Sequence, residues 1–451
     1  MANIVNFFWF RRDLRFSDNV GLYHALKQDV PVIPLFIFDK DILDDLEDEY
    51  DARVTFLHDT IQRMDDHLEN WGSRLLVKYG KPKEVWKELV ETYEIQTVFF
   101  NRDYEPYAKN RDEAIKNILN EKDISYKTFK DHVIFEKEEV QKNAGGVYTV
   151  FTPYKNKWYQ MHESALSEEK EDLNSSPFFA AYESEKFTSN FYSLGDVHMP
   201  LLEEMGFSRS SISIPDKTVS QKLIKQYDKK RNFPAADGTS RLGIHFRFGT
   251  ISIREKARKA YKLNKTYLNE LIWRDFYSQI LDAFPHVVDG PFREKYALIK
   301  WRNDEDDFDK WCKGQTGYPI VDAGMRQLNE TGYMHNRVRM ITASFLTKHL
   351  LIDWRWGEAY FAKKLLDYEL SSNNGGWQWA AGTGTDAAPY FRIFNPYTQV
   401  EKFDKNGVYL DEWVPERNGD EYPEPIVDHK QARERCLATY KSALEEYDDK
   451  K

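Results

Sequence analysis

Apolar runs alternate with amphipathic stretches over the first 135 positions, and then the alternation stops. Near-continuous apolar segments at 4–10, 30–38, 75–78 and 97–100 read as strands. Between them, 20–27, 52–71, 82–93 and 106–120 carry helical spacing. Strands that are apolar on both faces and separated by helices predict a parallel sheet covered on both sides. Ser17 or Asp18 suits the cap of the first helix, and Pro82 and Pro106 stand where first-turn prolines are tolerated. From 145 to 215 the periodicity fades, and Ser, Glu, Lys and Pro accumulate over 164–189. This predicts a long connector with short helical pieces. Helical spacing returns after Ser220 and holds to about Asp367, without strand alternation. A break at 422–425 precedes a charged helix over 427–447. The expected fold class is α/β plus all-α. It comprises an N-terminal parallel Rossmann-like α/β domain (1–135), a long connector (136–215) and a C-terminal helical domain (216–451).

Composition narrows the function classes. A formal charge of −10 argues against a protein that coats nucleic acid without selectivity, although a local basic patch survives screening. Acidic runs such as Asp304–Glu305–Asp306–Asp307 read as solvated surface. No apolar run is long enough to span a bilayer, and the N-terminal arginines follow the apolar run rather than precede it, so neither a membrane span nor a secretory signal is expected. Two cysteines, Cys312 and Cys436, form no disulfide framework and no metal-ligand spacing, so no metal is expected and a reducing compartment is. Aromatic content is 15%, with 12 Trp. The α/β half carries neither a G-x-G-x-x-G nor a phosphate-loop string, so the sheet alone names no ligand.

Three helical-half segments carry chemistry. In 267–281, Leu268, Ile272, Phe276 and Ile280 form a buried stripe, while Glu270, Trp273, Arg274 and Tyr277 share another face. An acid, a base and two aromatics on one face read as a wall of a ligand cavity or as a salt-bridged surface. A second helix over 332–351 places Asn336, Arg339 and Met340 together, and Arg337 and Arg339 have the fork geometry that clamps phosphate. In 370–379, paired Asn and paired Gly interrupt the helical pattern. Trp377 and Trp379, two apart, face different neighbours.

These strings resemble the photolyase/cryptochrome family, most closely its class I members that repair cyclobutane pyrimidine dimers. The likeness rests on Trp9–Phe10–Arg11–Arg12–Asp13–Leu14–Arg15 with Asp18–Asn19, on Val150–Phe151–Thr152–Pro153–Tyr154, and on Gly238–Thr239–Ser240–Arg241–Leu242. It continues through 269–277, Thr316–Gly317–Tyr318–Pro319, 334–340, 373–379 and 383–396, nearly end to end.

The resemblance implies FAD, folded back on itself in the helical domain. It places Tyr227, Thr239, Ser240, Arg241, Leu242, Gly243 and Tyr267 around the cofactor, with Asp367 and Glu369 near its ring and ribose. Asn373 faces the reactive flavin nitrogen, where plant cryptochromes usually carry Asp. Glu270 hydrogen-bonds the dimer, and Trp273, Tyr277, Asn336, Met340 and Trp379 line its cavity. Arg231, Arg274, Arg337, Arg339 and Gln399 address the DNA backbone, positioning rather than reading sequence. Trp377, Trp354 and Trp301 match an electron relay from the flavin to the surface. The implied reaction is electron transfer from excited, reduced FAD to an extruded dimer, ring splitting, and electron return. Gly243 and Glu369 replace a frequent serine and aspartate, and Tyr267 stands where some members have Trp.

Phe36, Asp39, Arg53 and 101–106 lie where members hold a second, antenna chromophore, either methenyltetrahydrofolate or 8-hydroxy-deazaflavin; the string resembles both kinds of binder. The expected partner is DNA containing pyrimidine dimers, for a monomer in the cytoplasm, nucleoid-associated in a prokaryote. A cryptochrome-type photoreceptor is the alternative on the same scaffold, disfavoured by Asn373, Glu270, Met340, the Trp273/Trp379 pair and the short stretch after the helical domain. A (6-4) enzyme would carry a His pair where His335–Asn336 stands. A flavin electron carrier without DNA contact is disfavoured by the arginine set.

Overall fold

The computed structural model describes residues 4–137, 139–164 and 177–450, so residues 165–176 of the predicted connector lie outside the described residues. Two compact units emerge: Met1–Val140, Lys157–Lys217 and Leu242–Lys262 form one, and Gln141–Asn156, Thr218–Arg241 and Leu263–Lys451 the other.

The first unit is a doubly wound sheet. Its strands are β1 (Val5–Phe10), β2 (Val32–Asp39), β3 (Leu76–Gly80), β4 (Ile95–Asn101) and β5 (Ser125–Phe129), all parallel in the order β3-β2-β1-β4-β5. Between them run α1 (Val20–Leu26), α2 (Lys40–Leu43), α3 (Ala52–Glu69), α4 (Pro82–Thr92) and α5 (Pro106–Glu121). β1 and β2 are buried at every position, which is what an apolar run covered on both faces requires. β5 was not expected. Its SYKTF sequence is polar and exposed, as suits an edge that must not recruit another strand. The cap of α1 is Asn19, whose side chain accepts from the Leu22 N–H, rather than Ser17 or Asp18. Pro82 and Pro106 do open their helices.

The Trp9–Asn19 string gains a structural reason here. The Asn101 amide at the end of β4 donates to Asp13 (2.5 Å) and to Asn19 (2.8 Å), and accepts from the Gly21 N–H (3.0 Å). Arg11 bonds Asp112 and the Asn101 carbonyl. A satisfied polar network therefore ties β1, β4 and α1 where the strand order reverses.

Beyond the sheet the helices are α6 (Phe151–Ser164), α7 (Gln221–Lys225), α8 (Tyr227–Lys230), α9 (Gly243–Phe248), α10 (Ile253–Leu263), α11 (Lys265–Ala283), α12 (Glu305–Lys313) and α13 (Pro319–Thr331). Then come α14 (Asn336–Ser344), a π-helical turn (Phe345–His349), α15 (Trp354–Lys364), α16 (Leu370–Ala381), α17 (Pro396–Phe403), α18 (Val408–Trp413) and α19 (His429–Asp449). The 14-residue α6 is more structure than the predicted connector allowed. The second unit packs α12 to α16 and α18 around a core that includes Trp311, Tyr318, Phe345, Trp354, Phe361 and Trp377. Its helical character is as the sequence pattern predicts.

Candidate cofactor and substrate site

α11 supplies one wall. Its stripe of Leu268, Ile272, Phe276 and Ile280 is buried. The opposite face leaves Glu270, Trp273 and Tyr277 partly open, while Arg274 is buried. Glu270 is ion-paired with Arg231. A third of its side chain reaches solvent, yet the surrounding protein is dense enough that burial pushes its carboxyl up from the ordinary value, against the pull of Arg231. Arg274 donates to Glu369 at 2.8 Å. Tyr227 meets Tyr267 edge to face at 5.0 Å, and the Tyr267 hydroxyl donates to Ser240 at 3.1 Å. Burial pushes the Tyr267 hydroxyl up to about 12, so it stays a donor.

α14 supplies a second wall. It begins at Asn336, not at Gly332, which closes α13 in a left-handed conformation. The cap is His335, whose Nδ1 accepts from the Arg337 N–H at 3.1 Å. Burial and the arginines around it hold the imidazole down to about 4, so it is neutral with its proton on Nε2. Arg339 donates to Asp367 at 2.9 Å and to the Met334 carbonyl at 2.7 Å. Arg337 donates to Asn232 at 2.8 Å and lies over the Phe403 ring at 4.4 Å. Beside Phe403 opens a groove of about 350 Å³ lined by Phe233, Lys402, Lys405, Asn406 and Val408 among others.

α16 supplies the third wall. The paired Asn and Gly do not interrupt it; Leu370–Ala381 is one helix. Gly375 lets it approach α11, because a β-carbon there would lie 2.2 Å from the Tyr277 ring. Asn373 donates its amide to the Glu358 carboxylate (2.9 Å) and carbonyl (3.0 Å), which turns its own carbonyl oxygen away from that pair. Trp377 and Trp354 are both buried in the core, and Trp301 packs partly buried against it. Trp301 also meets Tyr440 edge to face at 6.0 Å. Trp377 lies 6.0 Å from Trp311.

Thr239, Ser240 and Arg241 precede the point where the chain passes to the first unit, in which Leu242 caps α9 and Gly243 opens it. Arg241 adopts φ 51, a conformation that a non-glycine residue occupies only when its surroundings hold it there. Those surroundings centre on Tyr333. Its hydroxyl bonds Thr239 at 3.0 Å, and Arg241 and Arg339 lie over its ring at 5.0 and 5.8 Å. Asn336 is exposed, while Met340, Trp379 and Gln399 are half-buried.

Sequence reading therefore missed Tyr333 and Glu358. Tyr333 adjoins the 334–340 string and was within reach. Glu358 comes from α15, and no spacing along the chain connects it with Asn373. Three of the four arginines expected at the DNA backbone, Arg231, Arg274 and Arg339, are instead paired with acids of the site. In the first unit the antenna candidates are likewise engaged. Asp39 accepts from the Tyr107 hydroxyl at 2.6 Å, Arg53 pairs with Asp51, and Asp103 and Glu105 each lie 3.1 Å from Arg12.

The donor set suits FAD. Asp367 keeps one carboxylate oxygen, Oδ1, buried without a partner among the described residues, as does His335 its Nε2. Buried orphans of opposite polarity in one site are what a ligand with ring donors and acceptors satisfies.

Comparison with known proteins agrees. Residues 267–419 match the FAD binding domain of DNA photolyase, and residues 6–173 match DNA photolyase. A deoxyribodipyrimidine photo-lyase of Halobacterium salinarum is 36% identical over 97% of this chain and 98% of its own. A solved class III photolyase of Agrobacterium tumefaciens superposes with a TM-score of 0.84 at 32% identity, covering 99% of this chain and 98% of that one. An archaeal photolyase from Sulfolobus tokodaii, solved with two FAD molecules, gives 0.78 at 33% identity, covering 97% and 99%.

Proposed function

The chain belongs to the DNA photolyase family, and on that premise we propose how its residues divide the work of light-driven repair of cyclobutane pyrimidine dimers. The similarity carries no class within the family, since one solved relative is a class III enzyme. Thr239, Ser240, Arg241, Tyr227 and Tyr267 would hold the phosphates and sugar of FAD, with Leu242 and Gly243 following in the chain. Asp367 and Glu369, set by Arg339 and Arg274, would hold the polar edge of its ring. Asn373, set by Glu358, would face the ring nitrogen. When bound and reduced, the flavin supplies the light-excited electron that splits the dimer.

The remaining residues act on the DNA. Extruding a damaged step costs a few kcal/mol, and stacking on Trp273 and Trp379 offsets it. Glu270, whose carboxyl burial pushes up from its ordinary value against the pull of Arg231, can hydrogen-bond the dimer as negative charge develops there. Arg231 holds the Glu270 carboxylate, Asn336, Met340 and Tyr277 shape the cavity, and Arg337 and Gln399 meet the backbone. Trp377, Trp354 and Trp301 relay electrons inward. In the first unit, Phe36, Asp39, Arg53 and 101–106 would be the residues beside a second, antenna chromophore. Among the described residues no helix is long and apolar enough to cross a membrane. We read the protein as a cytoplasmic monomer.

The observation that carries the catalytic assignment is Glu270 beside Trp273 on the open face of α11, its carboxyl raised by burial and paired with Arg231. Substituting Glu270→Gln in the FAD-loaded enzyme is expected to lower repair of dimer-containing oligothymidylate by about tenfold under blue light, the net worth of about one hydrogen bond. The flavin spectrum is expected to stay the same. Undiminished repair per absorbed photon would remove Glu270 from this role.

A further inference from the structure

The Val150–Tyr154 string has no part in the assignments above. Its second residue nevertheless sits at the lesion wall. Phe151 is 7% exposed, and its ring lies parallel to Trp273 at 3.6 Å with 6° between planes. This is a full face-to-face contact, closer and flatter than the other ring pairs on α11. Phe276 packs edge to face with both rings, at 5.8 and 5.6 Å, and Tyr154 meets Phe276 at 5.2 Å. One face of the Trp273 indole is thus covered by protein.

The anchorage of Phe151 is specific. It is the first residue of α6, and its N–H would otherwise be one of the orphan donors of that helix end. The Asp386 carboxylate accepts it at 3.1 Å, from a residue held at φ 45. A negative group at a helix start is also favoured by the helix dipole. The neighbouring Thr385 hydroxyl donates to the Thr149 carbonyl. Two adjacent residues of one loop therefore hold the two ends of the 149–151 segment, whose last residue stacks on Trp273.

We propose that Phe151, clamped by Thr385 and Asp386, is a positioning residue that orients Trp273 so that the indole presents a single fixed surface to the extruded dimer. This inference rests on the reading of Trp273 as a substrate contact. An indole free to rotate pays rotamer entropy on binding, whereas one already stacked does not. The effect belongs to lesion binding and not to the photochemical step, because Phe151 touches Trp273 rather than the reacting atoms.

The experiment measures binding of the FAD-loaded enzyme to matched oligonucleotides with and without one thymine dimer. Phe151→Leu is expected to weaken binding of the dimer by about tenfold, comparable with the lower range of a base–aromatic stack. Affinity for undamaged DNA and repair per photon in the saturated complex are expected to stay at wild-type levels, and Phe151→Tyr is expected to restore the dimer affinity. Wild-type dimer affinity in Phe151→Leu overturns the proposal. Should that variant lose its flavin, Asp386→Ala decides: it keeps the ring but removes its anchor, and reduced preference for the dimer supports the proposal while unaltered preference overturns it. A wild-type enzyme without preference for the dimer would instead remove the reading of Trp273 on which this rests.

Discussion

At the scale of single residues, burial decides which groups carry charge. His162 is fully buried among Trp158, Phe179 and Tyr261, and neither ring nitrogen has a hydrogen-bond partner among the described residues. Burial alone lowers it from 6.5 to about 4. Between those values the unfolded chain binds a proton that the folded one refuses. Stability therefore falls as pH drops from about 6.5 towards 4 and levels off below, by roughly 3 kcal/mol at 1.36 kcal/mol per unit. His335 and His349, held near 4 and near 3, act in the same direction. His162→Leu is expected to flatten this acid dependence, measured as the difference between urea midpoints near pH 7 and pH 4.5. An undiminished difference would place the acid sensitivity elsewhere. Residue types on a shared helix face were legible in the sequence, as Glu270, Trp273 and Tyr277 were. Their partners were not, because the Arg231–Glu270, Asn373–Glu358 and Thr239–Tyr333 pairs join separate stretches of chain that only the fold brings together.

At the scale of elements, the contrast between Gly375 and Gly376 shows what a local reading can and cannot see. Both looked like an interruption, yet α16 runs straight through them. They are there for different reasons. A methyl at Gly375 would collide with the Tyr277 ring, whereas at Gly376 it would meet nothing within 4 Å. Gly375→Ala is expected to lower the stability of the flavin-loaded protein by about 1–3 kcal/mol, the usual cost of forced overpacking. Gly376→Ala is expected to raise it by up to about 1 kcal/mol through helix propensity. Thermal melts of the two variants side by side make the comparison, and equal effects would mean that the α11–α16 approach is not set by Gly375. The strands of the sheet interior were legible because burial on both faces writes a continuous apolar run. β5 was not, since an exposed edge writes a polar one. The Asn19 cap was missed by one residue, within the reach of any rule based on residue type alone.

At the scale of the whole molecule, the net charge of −10 must be reconciled with binding a polyanion. Affinity for DNA depends on salt through the counterions that each protein cation displaces, about 0.9 per phosphate contacted. A cation already neutralised by a neighbouring carboxylate displaces few. Arg231, Arg274 and Arg339 are in that condition, paired with Glu270, Glu369 and Asp367. Arg337 donates to a neutral amide, and Lys402 and Lys405 are exposed along the adjoining groove. These three set the expected slope of log Kd against log salt at about 3, whereas the full arginine set together with the two lysines would give a slope above about 5. Arg337→Gln is expected to lower the slope by about one unit on damaged and undamaged duplexes alike, because a phosphate contact positions without reading the lesion. Arg339→Gln is expected to leave the slope unchanged and to loosen the flavin instead, by freeing Asp367. Titrations over a range of salt concentrations separate the two outcomes, and a slope above about 5 in the unsubstituted protein would mean that the internal pairs open when DNA arrives. The acidic surface then has a consequence of its own. If, as proposed, Trp273 and Trp379 stack on the extruded dimer and few cations among the described residues engage the backbone, discrimination rests on those rings rather than on the field around the molecule, and preference for the dimer is expected to change little with salt while overall affinity falls.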